Sequence, residues 1–315
     1  MNMNDVTNIK TDLAAEIKEF RNLTEKDGFY DETSEKDGIK IREVRILTED
    51  ASKKIGKPVG TYITVDFADA FEDDEVFNSA AEAISEKIKS MVGENVSENV
   101  LVVGLGNAKL TSDAIGPETL SGILVTRHLK NHMPEVYGSL PLRELSALTP
   151  GVLGTTGIES ADIVKAVAEK TKPSLIVAID ALASRRAERV CTTVQMSDTG
   201  ISPGSGVGNH RRELSKKTLG VPVISIGVPT VIDTATLAYD TFETLCESGL
   251  CEFIQGGNIS YEAVCAALGD SSLNMIVTPR DIDVLVRKAS HLLAYSVNMA
   301  LHGELTAEEI EALLN

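Results

Sequence analysis

NVLVVGLGNAKLTSDAIGPETL, residues 99–120, decides how the chain folds. Val100-Leu101-Val102-Val103 is an unbroken apolar run, the pattern of a strand buried on both faces. Gly104 and Gly106 follow, where the backbone must turn tightly. Asn107, Thr111, Ser112 and Asp113 then form a polar loop at the strand's C-terminal end. Pro117 suits the first residue of a helix, with Glu118 favourable in its first turn. Leu120, Ile123, Leu124 and His128 recur at helical spacing and predict that this helix runs on. In open α/β sheets, functional groups gather beyond the carboxyl ends of strands, which is where Asp113 falls. On this stretch alone Asp113 is equally a loop aspartate that caps a helix.

A second stretch repeats the pattern. SLIVAIDALASR, residues 174–185, predicts a strand over Leu175–Ile179 with Asp180 opening the loop behind it. An acid directly after Ile-Val-Ala-Ile needs a partner or a task to be buried there. Parallel neighbouring strands would bring Asp113 and Asp180 together.

The rest of the chain alternates strands with helices. Strands are expected at Ile39–Leu47 (on an edge), Thr61–Phe67, Arg189–Met196, Val221–Val228 and Asn274–Thr278, with an extended stretch at Pro141–Leu148. Helices are expected at Thr11–Phe20, Val76–Val92, Ser160–Glu169, Thr234–Cys246, Asp281–Leu301 and Thr306–Leu314. Thr24–Lys40 is charged and reads as loop. Thr156 and Glu159 have the spacing of a capping box before the Ser160 helix. The alternation implies an α/β fold with a mostly parallel sheet covered on both faces.

Composition narrows the function. A formal charge of −17 over 315 residues argues against direct binding to nucleic acid or an anionic membrane. No apolar run approaches a bilayer span, and Met1–Glu19 lacks the apolar core of a signal peptide. Cys191, Cys246, Cys251 and Cys265 show neither a CxxC pair nor zinc spacing, so reduced thiols in a cytoplasmic setting are expected. Gly104-Leu-Gly106 lacks the third glycine of a dinucleotide fingerprint, since position 109 is Lys. Gly200-Ile-Ser202-Pro-Gly204 fits GxSxG in form, yet Pro203 and further glycines follow where a helix is required. His128 and His132 have the i, i+4 spacing of metal ligands without the glutamate of a metalloprotease.

Seven stretches, in order, resemble the germination proteases of endospore-forming bacteria: TDLAAE, GTYITVDF, VVGLGNAKLTSDAIGPETL, PGVLGTTGIES, VAIDALASR, GISPGSGVGNHR and IGVPTVIDT. They run from Thr11 to Thr234. The resemblance implies a three-layer α/β/α core similar to that of the hydrogenase-maturation endopeptidases. It implies an atypical aspartic endopeptidase with no cofactor, whose two catalytic acids match Asp113 and Asp180. It also implies a self-processed zymogen and a homotetramer, acting in the spore core on the small acid-soluble proteins that protect spore DNA. Ser112 stands where the family often carries proline, and Asp66 where a glutamate is also accepted.

Two adjacent carboxylates do not readily both ionise. The ionised one can take a proton from water, and the protonated one can polarise the scissile carbonyl. Asp113, near a helix N-terminus, is expected to be the base and Asp180 the acid. Backbone N–H groups of Gly151–Gly157 or Gly204–Gly208 are candidates for the oxyanion. Arg185 is equally a structural partner for an acid. Family substrates are cut between an acid and an apolar residue, with a small residue and a second acid downstream. Thr11-Asp12-Leu13-Ala14-Ala15-Glu16 has that order, so the expected processing bond is Asp12–Leu13. Residues 1–12 are then a propeptide and 13–315 a single peptidase domain. The polar segment before the bond suggests that it is open to attack. The same TDLAAE reads, without the resemblance, as an ordinary helix start capped by Thr11 or Asp12. Two competing readings are a nucleotide-binding α/β module using the Gly104–Gly106 turn and a metal-dependent maturation endopeptidase.

Overall fold

The computed structural model describes residues 10–93, 99–204, 206, 211–248, 260–268, 275–303, 305 and 307–314. A single nine-stranded sheet runs through it. Its strands are β1 (Phe29–Lys36), β2 (Ile39–Ile46), β3 (Gly60–Asp66), β4 (Asn99–Gly104), β5 (Glu144–Leu148), β6 (Leu175–Ser184), β7 (Thr193–Ser197), β8 (Val223–Asp233) and β9 (Ile276–Val277). They lie in the order β1-β2-β3-β7-β8-β6-β4-β5, with β9 on the end of β8. β5, β4, β6 and β8 pair in parallel. β7, β3, β2 and β1 add an antiparallel wing, and β9 is antiparallel too. The parallel part is therefore the half that carries the site.

Helices cover both faces. On one, α3 (Asp74–Val92), α4 (Ile115–Ser121) and α12 (Ile282–Leu301) pack against Val100, Val102, Val177 and Ile179. On the other, α8 (Ser160–Thr171) and α9 (Lys216–Leu219) cover Leu101, Val103, Ile176 and Ala178. Over the antiparallel wing that second face carries α1 (Ala14–Phe20) and α2 (Glu49–Ile55), packed on Phe29, Ile46 and Tyr62. This is the expected three-layer α/β/α arrangement. Alternation along the buried strands does the sorting: even and odd residues of β4 enter different cores.

Some elements depart from expectation for identifiable reasons. Thr24–Lys40 is not all loop, since β1 lies within it as the outermost strand. Its charged residues face water, and Asp37-Gly38, both at positive φ, form the two-residue turn of a hairpin into β2. β2 is thus internal, not an edge. The helix after Asp113 starts at Ile115 and stops at Ser121. His128 and His132 belong to a separate exposed helix, α5 (Arg127–His132), away from the site. β6 does not end at Ile179: β8 runs beside it as far as Ser184, so Asp180 lies within a strand. Thr156 and Glu159 form no capping box; the Thr156 hydroxyl instead donates to Val152 O and accepts from Ile158 N.

Candidate active site

Asp113 ends a 3-10 turn, Thr111–Asp113, between β4 and α4. The turn is held at three points. Leu105 N donates to Ile179 O at 2.8 Å, tying the end of β4 to β6. Thr230 of β8 donates its hydroxyl to Ser112 O at 2.5 Å. Asn107 N donates to both Asp113 O (3.0 Å) and Asp113 Oδ2 (2.9 Å). Gly106, at φ +107°, allows this closure: a Cβ there would lie 2.1 Å from Asp113 O. Gly104 is needed for a different reason. A Cβ on it would stand 2.5 Å from Gly116 O of α4, so the turn is filled by the protein's own backbone.

Asp180 is 4% exposed. β4 ends opposite Ile179, so Asp180 begins the part of β6 that projects beyond β4, beside the Asp113 turn. Its Oδ1 accepts from Ala181 N at 2.9 Å. Both acids line one cleft of about 520 Å³, walled by Leu105, Leu153, Leu182 and the start of α8. Burial, then the Asp113 charge, then the Asp12 charge push the Asp180 carboxyl well above the usual aspartate range. Burial also raises Asp113, opposed by its hydrogen bond from Asn107 N. The two sequence-predicted acids thus line the same cleft, and of the two Asp180 is the one driven further above the ordinary aspartate range.

A third acid lies in the cleft. Asp12 donates its N–H to Ala183 O (2.9 Å), and its Oδ2 accepts from Ala183 N (2.9 Å). Gly206 presses on it so closely that a Cβ would lie 2.2 Å from Asp12 Oδ2. Leu13 is fully buried and Asp12 is 8% exposed. The expectation that the Asp12–Leu13 bond is open to solvent is therefore corrected. Nonlocal pairing to β6 and β7 buries it, and its own cleft holds it. Gln195 of β7 donates Nε2–H to Asp12 O (3.0 Å) and accepts from Ala14 N at Oε1 (2.7 Å). Glu16 is buried with its carboxylate on Arg185 N (2.6 Å) and Arg186 N (3.0 Å). Lys10 pairs with Asp233 at 2.6 Å. Sequence reasoning treated Asp12 as a scissile residue or a helix cap and missed Gln195, which sits in a strand that reads as core.

The remaining candidates resolve simply. Arg185 is structural: its guanidinium contacts Asp240 (2.6 Å) and Glu243 (2.5 Å) and lies 4.8 Å from the Phe20 ring. Val152, Leu153 and Gly154 from the first glycine-rich loop line the cleft, as do Pro203 and Gly204 from the second. Residues 205 and 207–210 of the second loop lie outside the described residues. Gly200-Ile-Ser-Pro-Gly204 is a loop, bridged from Ile201 to Leu214, and not a nucleophile elbow. Among the described residues no group of three or more His, Cys, Asp or Glu side chains is placed to hold a metal ion. No helix among them is long and apolar enough to cross a membrane.

A family model described as germination protease matches residues 6–267. The chain is 43% identical to a germination protease of Caldanaerobacter subterraneus subsp. tengcongensis, covering 98% of this chain and 99% of the relative. It is 39% identical to that of Clostridium perfringens strain SM101, with the same two coverages. It is 38% identical to that of Bacillus pumilus strain SAFR-032, over 96% and 95%. Among solved structures, a NiFe hydrogenase maturation protease of Thermococcus kodakarensis KOD1 matches at TM-score 0.33 and 14% identity, over 67% of this chain and 98% of that one.

Proposed function

We propose that this chain, which belongs to the germination protease family, is an endopeptidase that activates water between Asp113 and Asp180 and first acts on its own Asp12–Leu13 bond. The observation that carries this is the buried Asp180 carboxyl, raised by burial and by Asp113, in the same cleft as Asp113 and Asp12. Asp113, whose Oδ2 accepts from Asn107 N, is the ionised member. It takes a proton from a water as the oxygen adds to the scissile carbonyl carbon. Asp180 gives its proton to the carbonyl oxygen. When the tetrahedral species collapses, the C–N bond breaks and the proton on Asp113 passes to the leaving nitrogen. The hydroxyl proton returns to Asp180. Each acid ends as it began, as a catalytic pair must.

The chain is accordingly read as a zymogen with residues 1–12 as propeptide and 13–315 as the peptidase domain. Support comes from the way the cleft holds Thr11–Ala14 and thereby blocks itself. The substrates are the small acid-soluble proteins that coat spore DNA, cut in the spore core on germination, and the active form is a homotetramer. Membership of the family is what supports this reading. An internal substrate-like segment seated at the acids favours self-processing over the metal-dependent maturation reading.

The test is intact mass and N-terminal analysis of purified chain, alone and with a peptide containing Thr-Asp-Leu-Ala-Ala-Glu. Wild type yields a Leu13 terminus and cuts the peptide after its aspartate. Asp113→Asn and Asp180→Asn yield neither, with unchanged circular dichroism. Near-normal turnover by either variant removes that residue from the chemistry.

A further inference from the structure

We infer that Gln195 is a catalytic residue for this reaction: its carboxamide N–H holds the carbonyl oxygen of the Asp12–Leu13 bond and stabilises the negative charge that builds on it as Asp180 delivers its proton. The inference rests on the self-processing reading above. It begins from sheet register. Asp180 of β6 stands opposite Gly227 of β8, and Gly227 stands opposite Gln195 of β7. Residues in register share a face, so Asp180 and Gln195 look out on the same side, about 10 Å apart between backbones. Gly227 between them carries no side chain, and Leu182 closes over that gap, 2.5 Å from where a Cβ would be. Leu182 thus divides the polar strip across the three strands: Asp180 faces the cleft of the two acids, Gln195 faces an adjoining cavity, and Asp12 lines both.

Thr11–Ala14 lies along that strip in a fixed register. Asp12 N and Oδ2 bond Ala183, which sets the residue before the bond. Gln195 Nε2 then meets Asp12 O at 3.0 Å, and Gln195 Oε1 meets Ala14 N at 2.7 Å. The carboxamide thus spans the Asp12–Leu13 peptide bond, gripping the carbonyl on one side and the following amide on the other. Beyond it, Glu16 bonds the Arg185 and Arg186 amides and keeps the segment from sliding. The Asp12 charge raises Asp180, which independently puts Asp12 beside the acids. A neutral amide donor aimed at the carbonyl where negative charge develops is worth most in a buried site. Gln195 is 8% exposed. The glycine-rich loops instead wall the cleft, and Gly206 abuts the Asp12 carboxylate.

The experiment compares self-processing of the full chain in wild type, Gln195→Met and Gln195→Ala. Hydrogen exchange of the Leu13–Ile17 amides is followed in the same samples. Met keeps the length of the side chain without its donor. Loss of one oxyanion donor slows processing roughly 10²–10³-fold. The expected result is that loss in Gln195→Met, with Ala14 deprotected because its acceptor is gone, Ile17 protection retained through its bond to Leu13 O, and the same pH profile as wild type. On the Thr-Asp-Leu-Ala-Ala-Glu peptide, kcat falls more than KM rises. Processing by Gln195→Met within a few-fold of wild type overturns the assignment. So does a slowed rate accompanied by lost Ile17 protection in both variants, which makes Gln195 a mere anchor of the segment. A wild-type chain that never cuts Asp12–Leu13, while Asp180→Asn behaves identically, overturns the self-processing reading and this inference with it.

Discussion

Gly106→Ala inactivates the protein without replacing either acid. Gly106 sits at φ +107°, and an added Cβ would lie 2.1 Å from Asp113 O and 3.1 Å from Asp113 Oδ1. The backbone strain alone costs about 1–3 kcal/mol. The clash is with backbone, so it is relieved only by moving the Asp113 turn. That movement breaks the shared donation from Asn107 N to Asp113 O and Oδ2, about 1.5–3 kcal/mol for a bond to a charged group. The sum is roughly 3–6 kcal/mol, or on the order of 5–9 °C in melting temperature for a chain of this size. A displacement of about 1 Å at the base lowers peptide turnover roughly 10²-fold or more. Gly220→Ala is the control, because Gly220 has φ +74° but nothing within 4 Å of its Cβ position. It carries the φ strain alone, about 1–2 kcal/mol, and keeps its activity. The assay is urea unfolding and peptide turnover for both variants. If Gly106→Ala is no less stable than Gly220→Ala and turns over normally, the Gly106 turn does not position Asp113.

Two further outcomes follow from burial. Asp180→Asn melts higher than wild type at pH 7: the raised carboxyl keeps its proton in the folded chain after the unfolded chain has lost it, so stability falls as pH rises above the ordinary value of 3.8. Thermal scans see that gain shrink to nothing below about pH 4, and a constant gain across pH removes burial of the charge as its cause. Burial pushes the Cys191 thiol up to about 12, so iodoacetamide at pH 7.5 leaves Cys191 unmodified by peptide mapping and turnover intact; rapid native alkylation there contradicts its packing.

The core and the acids were legible because burial writes itself into local pattern. Four consecutive apolar residues in β4, and again before Asp180, are what a strand covered on both faces requires. β1 was hidden because an exposed outer strand has no such need: after Phe29 its residues are charged or polar. Only Asp37-Gly38 marked it. The length of β6 was hidden too, since what carries it past Asp180 is β8, some fifty residues further along the chain. The same holds for Asp12, whose partners at Ala183 and Gln195 come from the far side of the sheet. A peptide segment that looks like a mobile terminus is fixed by groups about 170–180 residues away, and no local spacing records that. Gln195 was passed over because one polar residue among Val194 and Met196 is what a half-polar strand face also shows.

The most direct test of the account is one turnover in ¹⁸O-labelled water, with enzyme in excess over a peptide carrying Thr-Asp-Leu-Ala-Ala-Glu. Water activated between Asp113 and Asp180 places the label in the new aspartate carboxylate of the product and leaves both side chains unlabelled by peptide mass mapping. Label in Asp113 or Asp180 after that single turnover means that a carboxylate attacked the peptide itself, and contradicts the activated-water mechanism.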